Sequence, residues 1–220
     1  MYSFGSTLTL NNITMEYIEI ASSLILIINT QFFTDDWIIH NITTDIDQTS
    51  KIIEIHTDSN AIINNARIED IRLGVVSLTD STLEIYNSYI GDVVAIDSIF
   101  DVYTSKDMVF DNLTTFNCVT DNRRATIAFR SSTIDMMRNC YFQESQLNVM
   151  EMRNTNVTVF TNNTLDGINR GLKIYQNSNV KISNSMFKNM IQDIKEEDLY
   201  VSDIIDTGSG LGKSPKVYAI

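Results

Sequence analysis

The side chains best suited to chemistry in this sequence are few and scattered. Asp35 and Asp36 form its one Asp-Asp pair, the kind of unit from which general acid–base work or cation binding is built. Without companion carboxylates the pair reads as a solvated loop. His40 and His56 each stand in a β-branched neighbourhood with no second His or Cys at metal-ligand spacing, so both read as surface or turn residues. Cys118 and Cys140 are too few for a disulfide framework and lack the His partners of a zinc site. They read as buried thiols, with a disulfide between stacked coils as the alternative. Trp37, Tyr86, Tyr103, Tyr141 and Tyr175 offer faces on which sugar rings could stack, although core and strand-face positions account for them as well. ThrGlySerGlyLeuGlyLysSer, residues 207–214, approaches a phosphate-binding loop but has Thr207 at the first glycine position and Pro215 directly after it, and so reads as a linker. No residue pattern implies a catalytic site, a cofactor or a metal.

Five Asn-x-Ser/Thr sequons occur, at Asn12, Asn41, Asn112, Asn156 and Asn162. The abundance of Asn, Ser and Thr alone accounts for about four of them. Asn156 lies in a polar turn and is the expected glycan acceptor; the other four fall at positions of a repeat that places them inside a bend.

The elements that must carry these residues are β-strands. Glycine occurs eight times and proline once, helix formers are thin, and β-branched residues alternate with Asn, Asp and Ser. A net charge of −12 argues against nucleic acid and anionic lipid as partners. No apolar run is long enough to span a bilayer, and MYSFGSTLTL lacks the basic and apolar regions of a signal peptide.

A repeat organises the strands. Residues 81–90 and 179–187 share the phrase apolar, x, apolar, x, Asn, small, x, apolar, and it returns through the chain with marker asparagines Asn12, Asn41, Asn65, Asn87, Asn112, Asn139, Asn162 and Asn184. The markers are roughly 25 residues apart, as in solenoid repeats. Around Asn139 and Asn162 an extra residue predicts a β-bulge. Upstream of each phrase lies a second strand, such as Ile52–Ile55, Val75–Leu78 or Leu172–Ile174, joined to it by turns like HisThrAspSerAsn (56–60) and ArgAsnThrAsn (153–156). Strand, polar turn, strand, Asn and variable loop has one economical solution: coils stacked about 4.8 Å apart with every strand parallel to its equivalents. The reading is an all-β, right-handed parallel β-helix of about eight coils, with the marker asparagines forming an internal ladder of amide hydrogen bonds. Aspartate at these positions is expected to repel its neighbours. The solenoid is expected over residues 1–191, with 192–220 a last irregular coil or a linker.

Over roughly residues 6–190 this pattern resembles the pectin-lyase-like right-handed parallel β-helix proteins. That resemblance implies an architecture shared by enzymes, adhesins and scaffolds, and no single activity. In the galacturonase-like branch an Asn-Thr-Asp triplet, an Asp-Asp pair, Gly-His-Gly and Arg-Ile-Lys follow in order; here only Asp35–Asp36 is present. The pectate-lyase branch places an Arg near a Pro, whereas Pro215 is far from Arg123, Arg124 and Arg130. The Asn- and Ile-rich, Gly- and Pro-poor style is similar to surface β-helix proteins of ciliates.

The resulting expectation is a non-enzymatic structural rod without cofactor: a scaffold, surface-coat component or filament subunit, extracellular or on the cell surface. Its partners would be proteins or further copies met through the solenoid ends. A carbohydrate-binding or polysaccharide-cleaving groove and an intracellular complex subunit are the alternatives. Outward Asp, Arg and aromatic residues clustered on neighbouring coils would favour carbohydrate.

Overall fold

The structure, a computed structural model, describes residues 1–44, 50–120, 125–144, 148–167, 170–175, 177–188, 192–197 and 204–207. The chain runs through β1 (Tyr2–Phe4), β2 (Thr7–Ile20), β3 (Ile25–Ile28), β4 (Gln31–Thr44), β5 (Lys51–His56), β6 (Asn60–Ile71) and β7 (Gly74–Thr79). It continues through β8 (Thr82–Ala95), β9 (Phe100–Tyr103), β10 (Met108–Thr120), β11 (Ala125–Arg130), β12 (Thr133–Arg138), β13 (Tyr141–Glu144) and β14 (Asn148–Arg153). The last described strands are β15 (Asn156–Thr161), β16 (Thr164–Gly167), β17 (Arg170–Tyr175), β18 (Asn179–Ser183), β19 (Met186–Lys188), β20 (Gln192–Glu197) and β21 (Ile204–Thr207).

These strands build two parallel ladders. The first stacks β1-β3-β5-β7-β9-β11-β14-β17-β20 and the second β2-β4-β6-β8-β10-β12-β15-β18-β21, with β13, β16 and β19 as a branch of the second. The chain alternates between ladders, so each strand pairs with its equivalent one coil on and the whole is a parallel β-solenoid. The ladders pass the boundary expected at 191: β20 pairs with β17, and β21 with β18. Residues 208–220, which include most of the 207–214 motif, lie outside the described residues.

The long strands of the second ladder each cover more than one face, because two left-handed residues in each turn the chain. In β8, Leu83 and Ile85 are buried, Asn87 is exposed, and Ser88 and Ile90 are buried. Strict alternation would have buried position 87. Instead Asn87 takes a left-handed conformation (φ 48°), which rotates the next residue inward and restarts the alternation. Asn12, Asn65, Asn112, Asn139, Asn162 and Asn184 do the same, with φ between 47° and 58°. Left-handed backbone costs an ordinary L-residue roughly 1–2 kcal/mol, and Asn and Asp are the side-chain-bearing residues that visit it routinely.

The expected internal asparagine ladder is therefore corrected: Asn12, Asn65, Asn87, Asn112, Asn139, Asn162 and Asn184 are all exposed. Their amides link coils from outside, as where Asn112 Nδ2 donates to Asn87 Oδ1 at 3.0 Å and Asn87 Nδ2 to Asn64 Oδ1 at 3.2 Å. Asn41 belongs elsewhere. Register sets Asp36, not Asn41, between Asn12 and Asn65. Asn41 stands in a second left-handed column with Tyr17, Asp70, Asp92 and Asn117. Aspartates are tolerated in both columns, Asp70 and Asp92 even on successive coils, because exposed charges there are screened by water.

One polar column inside the solenoid is made of Ser and Thr. At the bend between the ladders, Thr30, Ser59, Ser81, Ser105, Ser132, Thr155 and Ser178 are all buried. Each hydroxyl donates to a carbonyl two or three residues back, as Ser105 does to Tyr103 at 2.8 Å and Ser132 to Arg130 at 2.8 Å. Several also accept the backbone N–H of the preceding coil: Ser59 from Thr30, Ser81 from Ser59, Ser105 from Ser81 and Ser132 from Ser105. A hydroxyl suits the place because it gives and takes at once. Apolar side chains fill the rest, with Phe100, Phe110 and Phe129 in edge-to-face contact at 6.3 and 5.8 Å between centroids. The packing leaves a cavity of only about 10 Å³, lined by Ile63, Ala66, Ile85 and Phe100.

Backbone conformation rather than amide bonding should dominate at the corners. Asn87→Ala is expected to lose about 1–2 kcal/mol in urea unfolding, while Asn87→Gly stays within about 0.5 kcal/mol of the natural protein. Equal losses would transfer the role to the amide chain.

Candidate functional site

The residues singled out in the sequence do not converge. Asp36 is a left-handed corner, and Asp35 beside it accepts from Asn64 and Asn65 at 2.8 and 2.9 Å. His40 lies on the second ladder with Nε2 2.9 Å from Glu16, and His56 on the first with Nε2 3.4 Å from Glu54. Cys118 and Cys140 are buried and not disulfide-bonded. Tyr141 pairs with Thr114, which sets Cys140 beside Leu113, five positions before Cys118; the disulfide alternative is thereby corrected. Burial pushes the Cys140 thiol up to about 12, so it stays protonated and inert as a nucleophile. Among the described residues no cluster of three or more His, Cys, Asp or Glu is placed to hold a metal, and no helix is long and apolar enough to cross a membrane.

The five aromatics separate. Trp37 is fully buried. Tyr86 and Tyr141 lie on the second ladder; Tyr86 donates to Glu84 at 2.6 Å, a bond that raises its phenol to about 12. Tyr103 and Tyr175 end β9 and β17 on the outer face of the first ladder, and between them stand Arg130 and Arg153, the last residues of β11 and β14. Tyr103, Arg130, Arg153 and Tyr175 thus form one outward column over four successive coils, with Asp101, Ala128, Glu151 and Lys173 in the column beside it.

Two arginines on adjacent coils repel, and their side chains part. Arg130 stacks 4.6 Å above the Tyr103 ring and Arg153 4.9 Å above that of Tyr175, which also receives Lys173 at 4.6 Å. Arg130 is held further by Asp101, Nη1 to Oδ1 at 2.5 Å. Arg153 remains exposed. The arrangement sets aromatic rings, each packed against a cation, beside guanidinium donors and carboxylate acceptors on one surface of a protein whose net charge is −12. It is suited to a polar ring-bearing ligand. The sequence hid this stripe because Arg130 and Arg153 read as the start of polar turns, whereas register makes them strand ends. The usable signal was their common place after an inward apolar residue, Phe129 and Met152, at the end of successive upstream strands.

Beneath the same sheet lies a lysine that the sequence did not mark. Lys51 is 4% exposed, crosses over Gly74 of the next coil and donates from Nζ to the Ser98 carbonyl of the coil beyond at 2.5 Å. Desolvation lowers its pKa, partly offset by Asp101, Asp97 and Glu54. A lysine so tuned is the type that does nucleophilic chemistry, but here it is covered and acts as a staple across three coils. A second ionic staple, outside, joins Arg138 Nη2 to Asp111 at 2.7 Å, while Asn139 donates to the other oxygen at 3.1 Å; both bonds hold the Asp111 carboxyl below its ordinary range.

The family described as right handed beta helix region matches residues 51–195. No curated protein and no solved structure matches the chain.

A Cβ at Gly74 would stand 2.4 Å from Lys51 Cδ and Nζ. Gly74→Ala should therefore cost about 1–3 kcal/mol by chemical unfolding, and less in a Lys51→Ala background. Equal costs in both backgrounds would mean that the methyl meets something other than Lys51.

Proposed function

We propose that this chain, which belongs to the right-handed β-helix family, is a non-enzymatic structural module. It serves as a rod-like scaffold within a surface coat, filament or larger complex, at or outside the cell surface. The observation that carries the reading is the continuity of the two ladders: each runs through nine strands in parallel register around one closely packed core. Every lateral displacement of one coil strains the backbone bonds, the Ser/Thr column and the outer amide links together, and stiffness along an axis is what a scaffold supplies.

A second reading, carbohydrate recognition, is favoured by the Tyr103–Arg130–Arg153–Tyr175 stripe with Asp101 and Lys173 beside it. In that reading the rings stack on sugar faces and Arg153 takes an acidic or hydroxyl group.

Light scattering on gently extracted natural material tests the scaffold: an assembly of fixed mass well above the monomer is expected, and a freely diffusing monomer would overturn it. For the stripe, titration with acidic oligosaccharides should show binding that Arg153→Ala and Tyr175→Ala each weaken roughly tenfold, about 1.4 kcal/mol. Identical affinities in all three proteins would dismiss this ligand face.

A further inference from the structure

We infer that Asn12, Asn112 and Asn162 are acceptors for N-linked oligosaccharides, set along one edge of the rod. The inference rests on the reading of the chain as a surface scaffold and adds a modification to it. Each of the three opens a sequon with Thr two residues on, at Thr14, Thr114 and Thr164. The repeat pattern alone predicts that these amides turn inward, which would bar a glycan. The left-handed corner does the opposite: with φ of 53°, 58° and 54°, the three side chains leave the stack and are exposed. The residue after each, Ile13, Leu113 and Asn163, takes the inward place instead.

The outer amide links do not compete with such a modification. Asn112 Nδ2 donates one hydrogen to Asn87 Oδ1 at 3.0 Å, and Asn162 Nδ2 one to Asn139 Oδ1 at 3.5 Å. A carboxamide nitrogen carries two hydrogens, and a glycosylated one keeps the second, so the link and the sugar can share the nitrogen. Asn41 differs. It is half-buried in the other corner column with Nδ2 2.9 Å from His40 Nδ1, and it is expected to be modified least. Asn12 and Asn112 stand on the first and fifth strands of one ladder and Asn162 directly after the seventh, roughly 19 and 10 Å apart at ~4.8 Å per coil. Glycans so placed hydrate the corner edge and leave the Tyr103–Tyr175 face bare.

The test is the full chain sent through the secretory pathway of a eukaryotic cell behind an added signal, released by peptide-N-glycosidase in heavy-oxygen water and mapped by peptide mass spectrometry. Label at Asn12, Asn112 and Asn162 in protein that keeps its β-sheet circular dichroism is expected. Thr14→Val, Thr114→Val and Thr164→Val should each remove one mass step without disturbing a corner, since the asparagine that the backbone needs is retained. Empty corner sites beside an occupied Asn156 would overturn the inference. So would retention of glycosylated protein as aggregate that the three threonine variants together release, because the fold would then reject the sugar. Either failure concerns corner geometry alone and is distinct from failure of the scaffold reading, which the mass of the natural assembly decides.

Discussion

Parallel backbone hydrogen bonding between successive coils is the constraint on which the rest of this molecule depends. It sets each residue beside its equivalent one coil on, so that a choice made at one position is repeated about 4.8 Å away and becomes a column. A strand can bond in this way only along its straight stretches. At the bends the backbone N–H groups leave the ladder and need other acceptors, since a buried unpaired N–H costs as much as a lost hydrogen bond. The buried hydroxyls from Thr30 to Ser178 occupy that place, accepting N–H groups of the preceding coil such as those of Ser59 and Ser81. The column is as much a part of the backbone bonding as the strands are.

Columns multiply electrostatic effects in the same way, and the chain answers each case with local geometry. Where Arg130 and Arg153 fall on neighbouring coils, the guanidiniums separate onto Tyr103 and Tyr175. Where Asp70 follows Asn41 and precedes Asp92, the column faces water, and Asn117 donates to Asp92 at 2.6 Å. The buried cation, Lys51, finds a carbonyl by crossing the one neighbour without a side chain. Gly91 has a related use: the side chain of Tyr89, two residues before it on the same strand, occupies the space beside it, its hydroxyl oxygen 2.4 Å from where a Cβ would stand. Each exception needs a glycine that makes room, on the next coil for Lys51 and on the same strand for Tyr89.

The outer surface is correspondingly divided. One edge carries the left-handed corners, rich in amides and carboxylates; the outer face of the first ladder carries rings and cations over the later coils. A solenoid keeps these zones separate because successive coils advance along the axis with little rotation, so a feature stays on its side of the rod for many residues of sequence.

The sequence by itself determined the repeat, the strand class and the position of seven of the eight marker asparagines, because alternation of apolar residues and the recurrence of Asn at one phase are local properties of the chain. It could not tell which way those asparagines face. A side chain at a strand end points in or out according to one backbone angle, and the left-handed turn at Asn87 that exchanges the two is written in the sequence only as a preference for Asn. Register was equally out of reach. Asp36 in the column of Asn12, Asn41 in the column of Asp70, Cys140 beside Leu113, and Arg130 beside Arg153 all follow from how coils of unequal length align, and loops take up that inequality without any mark in composition. The alignment is decided by the summed hydrogen bonding and packing of whole coils, a tertiary quantity, and so the candidate stripe and the outward edge of acceptors came into view only when the coils were stacked.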